Sequence, residues 1–216
     1  MKSLPIESKI KELFDECLQG RSSKVLLQHE LVNILYTLQE SAKIKDISET
    51  IRNRGYFVVL QHLQLLNSES IYANSLRIGR FTVRLKKERR WQDTDAGVVI
   101  ASVDFSRAVL PALQLRDISF YDCVFEATTL TKLKLRECRF ERCNLQEAIL
   151  TDAQIRTTNF SGSTFEGAIL DGARIRGCSL TGCNLQYSKI RNCDFTTTKL
   201  TGCNFDSADT HGSRGL

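Results

Sequence analysis

At 216 residues, with 42% hydrophobic and 25% charged side chains, the chain is long enough to bury a core and is neither disordered nor fibrous in composition. Its net charge of +5 is mild: residues 96–216 carry 14 Lys and Arg against 13 Asp and Glu, leaving 16 against 12 for residues 1–95. Neither half is basic enough for charge alone to argue nucleic-acid binding. Only two prolines occur, so proline-rich linkers are absent. The first residues, Met1 to Ile10, lack an apolar leader core, and no apolar run reaches bilayer-spanning length. A cytoplasmic location is expected, or injection into a host cell by a route that needs no such leader.

Residues 1–67 read as helical. Ile6, Ile10, Leu13, Phe14, Cys17 and Leu18 recur at helical spacing, and Gly20 is a natural stop. Ser22 or Ser23 can cap a second helix that carries Val25, Leu27, Leu31, Ile34, Leu35 and Leu38. A third, weaker pattern holds Ile47 and Ile51 and is expected to stop at Gly55. Tyr56 to Leu66 is apolar enough to be a buried helix or a strand, and periodicity does not decide between them. Leu76, Ile78, Phe81, Val83 and Leu85 alternate, which suggests a short strand pair near residues 75–85. Lys86-Lys87-Glu88-Arg89-Arg90 follows as a charged connection, and a domain boundary is expected near residue 95.

Beyond that boundary the period changes to five. Every residue whose number is a multiple of five, from Ile100 to Phe205, is Ile, Leu or Phe, 22 in succession. Two residues before each lies a second restricted position, from Val98 to Ala208, that is small or apolar throughout. Alternate spacings of two and three suit neither a helix nor a simple strand. They suit a chain that turns a corner every five residues and points both restricted positions inward.

Cys143-Asn144-Leu145, Cys183-Asn184-Leu185, Cys203-Asn204-Phe205 and Thr158-Asn159-Phe160 carry a resemblance to the pentapeptide-repeat family, whose consensus is roughly Ala-(Asp/Asn)-Leu-X-X. The resemblance implies a mainly β fold: a right-handed quadrilateral β-helix over residues 96–210, with four pentapeptides per coil. A small, mostly α-helical N-terminal domain, residues 1–95, precedes it and can cover its first edge, and residues 211–216 form a flexible tail. Val109-Leu110-Pro111 and Leu113-Gln114-Leu115 depart from the consensus, so the first coils are expected to be irregular. Residues 1–95 match no family.

With twenty residues per coil, positions twenty apart stack. Residues 98–208 then give about five and a half coils, and at the strand spacing of about 4.8 Å a rod about 26 Å long. Phenylalanines fall on two adjacent sides and aliphatic residues on the other two, filling the interior. Replacing Phe140 or Leu150 by Ala is expected to cost roughly 2–5 kcal/mol. Seven of the eight cysteines (123, 138, 143, 178, 183, 193 and 203) take the small inward position. They are expected to be small core residues rather than a metal site, a disulfide ladder or a redox sensor.

Outward positions are left for function. Arg116, Arg136, Arg156 and Arg176 form one column, flanked by Lys134, Arg139, Arg142 and Arg174. Like charges on neighbouring strands repel, so this ridge is read either as a surface for an acidic partner or as a solvated face neutralised by Asp117, Glu137 and Glu141. An opposing column holds Glu126, Gln146, Glu166, Gln186 and Asp206. Val109, Ile149 and Ile169, with Thr129 between, make an apolar stripe that could dock another surface.

No nucleophile–base set, phosphate loop or metal-ligand cluster stands out, and the three histidines, His29, His62 and His211, are scattered. No enzyme activity, cofactor, metal or small-molecule substrate is expected. The expected function is that of a protein-binding scaffold or regulator with a protein partner of acidic character; nucleic acid is not indicated. A homodimer through the C-terminal end of the β-helix is a further expectation. The resemblance points most often to bacteria and includes secreted effectors. A second reading is a topoisomerase modulator of the quinolone-resistance kind, whose rods are acidic where this one carries arginines. A third is an accessory domain of an enzyme.

Overall fold

The computed structural model describes residues 6–44, 47–67, 76–78, 81–83 and 98–216. The chain divides into two compact units, Met1–Val98 and Val99–Leu216.

In the first unit, α1 (Ile6–Leu18), α2 (Lys24–Ile44) and α3 (Glu49–Asn67) bury apolar residues that recur at helical spacing. Ile10, Phe14 and Cys17 of α1 are buried, as are Leu27, Leu31, Leu35 and Leu38 of α2 and Tyr56, Val59, Leu60 and Leu63 of α3. Gly20 ends α1 in a left-handed conformation, φ 68°, with its N–H on the Cys17 carbonyl and that of Arg21 on Glu16. Ser23 caps α2 through the Leu26 N–H (3.2 Å), and Ser48 caps α3 through that of Ile51 (3.4 Å).

Gly55 does not stop a helix. The weak third pattern and the Tyr56–Leu66 run belong to one helix, α3, and Gly55 lies within it. A β-carbon there would come within 2.8 Å of Leu38 Cδ1 and 3.2 Å of Ile6 Cδ1, so glycine here serves close packing against those side chains rather than chain termination.

Strands β1 (Leu76–Ile78) and β2 (Phe81–Val83) pair antiparallel, Leu76 opposite Val83 and Ile78 opposite Phe81. Leu85, the charged segment 86–90 and the boundary expected near residue 95 lie outside the described residues.

The second unit is a four-sided β-helix. Its longer strands form two parallel sheets. One holds β3 (Val98–Ala101), β5 (Ile118–Tyr121) and β7 (Arg139–Glu141); the other holds β4 (Gln114–Arg116), β6 (Lys134–Arg136), β8 (Gln154–Arg156) and β9 (Arg174–Arg176). Partners are twenty residues apart, as in Phe120↔Phe140 and Leu115↔Leu135, and shorter bridges keep that offset from Asp104↔Val124 to Asp194↔Arg214. The corner falls two residues after each central residue, with φ positive even at Asp117, Glu137 and Arg142. L-residues adopt this conformation at a cost; glycine stands there at 162, 167 and 172 without it.

Both restricted positions point inward, and the phenylalanines stack coil on coil. Ring centroids lie 4.6 Å apart for Phe120–Phe140, 5.2 Å for Phe140–Phe160 and 4.8 Å for Phe105–Phe125. The first coils are regular, contrary to the expectation at residues 109–115. Leu110 and Leu115 are buried, and Val109 and Gln114 pair with Thr129 and Lys134. Pro111 is tolerated because it stands just after a central residue, where the N–H lies outside the coil-to-coil ladder; at the equivalent Gln146 that N–H bonds the Asn144 side chain instead (2.9 Å).

The ladder also runs past residue 210, into the segment read as a tail. Ser213 takes the small inward position and accepts from the Cys193 N–H (2.9 Å), while Arg214 pairs with Asp194. Thr210 and Gly215 hide this last side from a search for apolar residues at every fifth position.

The inward cysteines are all unbridged. Six of the seven thiols donate to a carbonyl 23 residues back, among them Cys183 to Phe160 (3.0 Å), Cys193 to Leu170 (3.0 Å) and Cys203 to Leu180 (2.9 Å), while Cys138 donates to Arg136, two residues back. Ser163 and Thr128 make the same bond to Phe140 (2.7 Å) and Phe105 (2.8 Å). The small position is therefore also a donor position.

Candidate interaction face

Sheet β4–β6–β8–β9 presents one side of the β-helix as a parallel surface. Leu115, Leu135, Ile155 and Ile175 point inward, and the residues on either side of each are exposed. Two outward columns result. One reads Gln114, Lys134, Gln154 and Arg174; the other reads Arg116, Arg136, Arg156 and Arg176. Six of the seven cations expected to form the ridge share this side. Arg139 does not: it lies around the corner on β7, 3.6 Å from Glu141. Arg142 is paired too, with Asp122 at 2.8 Å.

Among the described residues, the ridge is neutralised only at its two ends. Glu137, at a corner, reaches both Arg116 (3.0 Å) and Arg136 (3.1 Å), and its hydrogen bond with Arg116 holds its carboxyl below the usual range. At the other end Asp194, only 6% exposed, is clamped by Arg176 and by Arg214 (2.8 Å). Hydrogen bonds from Arg214, Thr196 and Arg176, in that order, hold its carboxyl far below the usual range. Between these ends Lys134, Arg156 and Arg174 form no ion pair or side-chain hydrogen bond among the described residues.

Asp194 and Arg214 were not singled out from the sequence. The signal was present: continuing the first outward column by twenties from Arg174 reaches Asp194 and then Arg214.

Two other sides carry the remaining outward features. Glu126, Glu166 and Asp206, with Gln146 and Gln186 between, stand two sides from the ridge and hence opposite it. Neighbouring amides contact Glu166 (Asn184, 3.2 Å) and Asp206 (Gln186, 3.5 Å). None of Glu126, Glu147, Glu166 and Asp206 forms an ion pair among the described residues. On the side between, Val109 is exposed while Ile149 and Ile169 are half-buried; their column continues into Lys189 and Asp209, so the apolar stripe is short.

Burial pushes the thiols of Cys138, Cys178 and Cys193 up to about 11 and that of Cys183 to about 12, against nucleophilic or ligand chemistry near neutral pH. Among the described residues no three His, Cys, Asp or Glu side chains are placed to hold a metal ion, and no helix is long and apolar enough to cross a membrane.

The sequence profile described as "Pentapeptide repeats" matches residues 123–162, 158–196 and 178–213. No curated protein matches the chain. Among solved structures, full-length QnrB1, a plasmid-mediated fluoroquinolone resistance protein, is 17% identical over 54% of this chain and 71% of its own, with a TM-score of 0.45. Rfr23 from the cyanobacterium Cyanothece 51142 is 17% identical over 54% and 83%, TM-score 0.28. A pentapeptide repeat protein from the Arabidopsis thaliana thylakoid lumen is 22% identical over 44% and 63%, TM-score 0.33.

Proposed function

We propose, from the premise that the C-terminal half of this chain belongs to the pentapeptide-repeat family, that its β-helix is a non-enzymatic binding rod whose basic side holds an acidic protein surface. The observation that carries this reading is the middle of the ridge, where Lys134, Arg156 and Arg174 stand on one parallel sheet without a counter-charge among the described residues. Cations stacked at strand spacing repel one another, and among the described residues carboxylates pair with the ridge only at its two ends. Carboxylates from outside would relieve the middle. The solenoid is suited to this because the packed interior fixes the backbone that carries its outward columns, so little backbone freedom is lost on binding. Its interior is filled by stacked phenylalanines and aliphatic ladders, which favours surface recognition over enclosure of a substrate. In this reading the helical unit serves a second contact or positions the first, as a scaffold or regulator would require.

The test is retention of the full chain on immobilised polyglutamate. Arg156→Glu/Arg174→Glu should elute at clearly lower salt than the unaltered chain. The control Lys189→Glu/Lys199→Glu carries the same change in net charge on other sides and should elute later than the ridge variant. Equal elution of the two variants would reduce the effect to net charge and remove the reading.

A further inference from the structure

The unaltered chain carries both halves of a charge-complementary contact. The ridge and the acidic column lie on opposite sides of one solenoid, and among the described residues Lys134, Arg156 and Arg174 of the one and Glu126, Glu166 and Asp206 of the other form no ion pair. Their spacings also agree. Within the chain, one carboxylate serves two arginines: Glu137 spans Arg116 and Arg136, and Asp194 spans Arg176 and Arg214. The acidic column offers carboxylates at that ratio, since Glu126, Glu166 and Asp206 recur at every second coil with glutamines between. Because both columns ride on the same coil-to-coil ladder, of about 4.8 Å per step, they stay in register along the whole rod. A flexible acidic segment has no such period, whereas a second copy has it by construction.

We propose that the basic side of one molecule packs against the acidic side of a second copy, with the rod axes aligned. The pairing sets two carboxylates of the Glu126, Glu166 and Asp206 column of one copy, which recur every second coil, over Lys134 and Arg174 of the other, likewise two coils apart, with Arg156 between them. The two surfaces differ, so each added copy exposes the same pair of sides again and the association is open-ended rather than closing at two. It is held by exposed charges on a narrow side, and is therefore weak and salt-sensitive. The inference rests on the ridge being a binding surface, as proposed above, and names its occupant.

Sedimentation velocity of the full chain tests it. At about 50 mM salt the weight-average sedimentation coefficient should rise steadily with concentration, and at about 500 mM the association constant should fall about tenfold or more. Arg156→Glu/Arg174→Glu and Glu126→Arg/Glu166→Arg should each lose the association. An equimolar mixture of the two variants should recover it, because the reversed ridge of one meets the reversed column of the other. A chain that stays monomeric at low salt overturns the proposal, as does an association that neither reversal affects. A monomeric chain whose retention on polyglutamate still depends on Arg156 and Arg174 overturns self-pairing alone and leaves the ridge as a surface for a foreign acidic protein.

Discussion

Arg116 on β4 donates through Nε to the carboxylate of Glu137, one coil further along, at 3.0 Å. The same carboxylate accepts from Arg136 at 3.1 Å, so a single corner residue neutralises two rungs of the basic ridge. Removing that charge should extend the uncompensated stretch from Lys134, Arg156 and Arg174 to Arg136. Glu137→Gln is therefore expected to bind polyglutamate more tightly, eluting at higher salt, while its thermal unfolding changes little because the pair is exposed. An elution position unchanged from the unaltered chain would show that Arg116 and Arg136 add nothing to the surface.

The helical unit carries a pH dependence of its own. His62 on α3 is buried, edge-on to the Phe14 ring at 5.2 Å. Its Nδ1 donates to the Val58 carbonyl at 2.6 Å, which leaves Nε2 buried without a hydrogen-bond partner among the described residues. Desolvation lowers its pKa below 6.5, partly opposed by the Val58 bond. The folded unit therefore resists a proton that the unfolded chain accepts. The associated stability is complete above the unfolded value of about 6.5 and is lost as the pH falls towards the folded value. Far-ultraviolet circular dichroism on acid titration should show helix loss beginning at a higher pH in the unaltered chain than in His62→Phe, which has no proton to take up. Superimposable titrations would show that the imidazole is not held neutral by the fold.

Phe140 sits between Phe120 and Phe160, with centroids 4.6 and 5.2 Å away, and it also meets Phe125 at 5.5 Å. Truncation there leaves a cavity bounded by rings fixed to the coils before and after it, which cannot all move in to fill it. Phe140→Ala should cost about 3–5 kcal/mol, and Leu150→Ala about 2–5 kcal/mol, in denaturant unfolding of the solenoid. Leu200 on the same side as Phe140 is only partly buried, so Leu200→Ala should cost less than either. Equal losses at Leu200 and Phe140 would mean that the ladder is not the main source of stability.

The solenoid was legible because one physical constraint repeats every five residues. An inward side chain must be Ile, Leu or Phe to fill the interior, and its partner two residues earlier must be small. Reading by twenties also placed Arg116, Arg136, Arg156 and Arg176 in one column, since the coil length alone fixes that. Which cations stay unpaired was not legible. It depends on Glu137 turning back across a coil to Arg116, and on Asp194 interrupting a column that otherwise holds Gln, Lys and Arg. Gly55 misled for a related reason: glycine ends a helix as readily as it admits a close neighbour, and only the Leu38 contact distinguishes the two. Pro111 looked like a fault in the repeat because a sequence does not show which amides the ladder uses.

The cysteine positions make a further distinction testable. Six of the seven inward thiols act as weak donors to the carbonyl 23 residues back, a bond that Ser163 and Thr128 make in the same role. If donation matters as well as size, Cys183→Ser should be tolerated better than Cys183→Ala, which leaves the buried Phe160 carbonyl without that donor. The difference should be about 1 kcal/mol in denaturant unfolding. Reactivity should follow burial. Cys183, pushed to about 12, and Cys193, pushed to about 11, should resist iodoacetamide in the folded chain at pH 8, whereas the partly exposed Cys203 should react first. Mass spectrometry of the alkylated protein reads this directly. Labelling of Cys183 ahead of Cys203 would contradict the inward placement of the column.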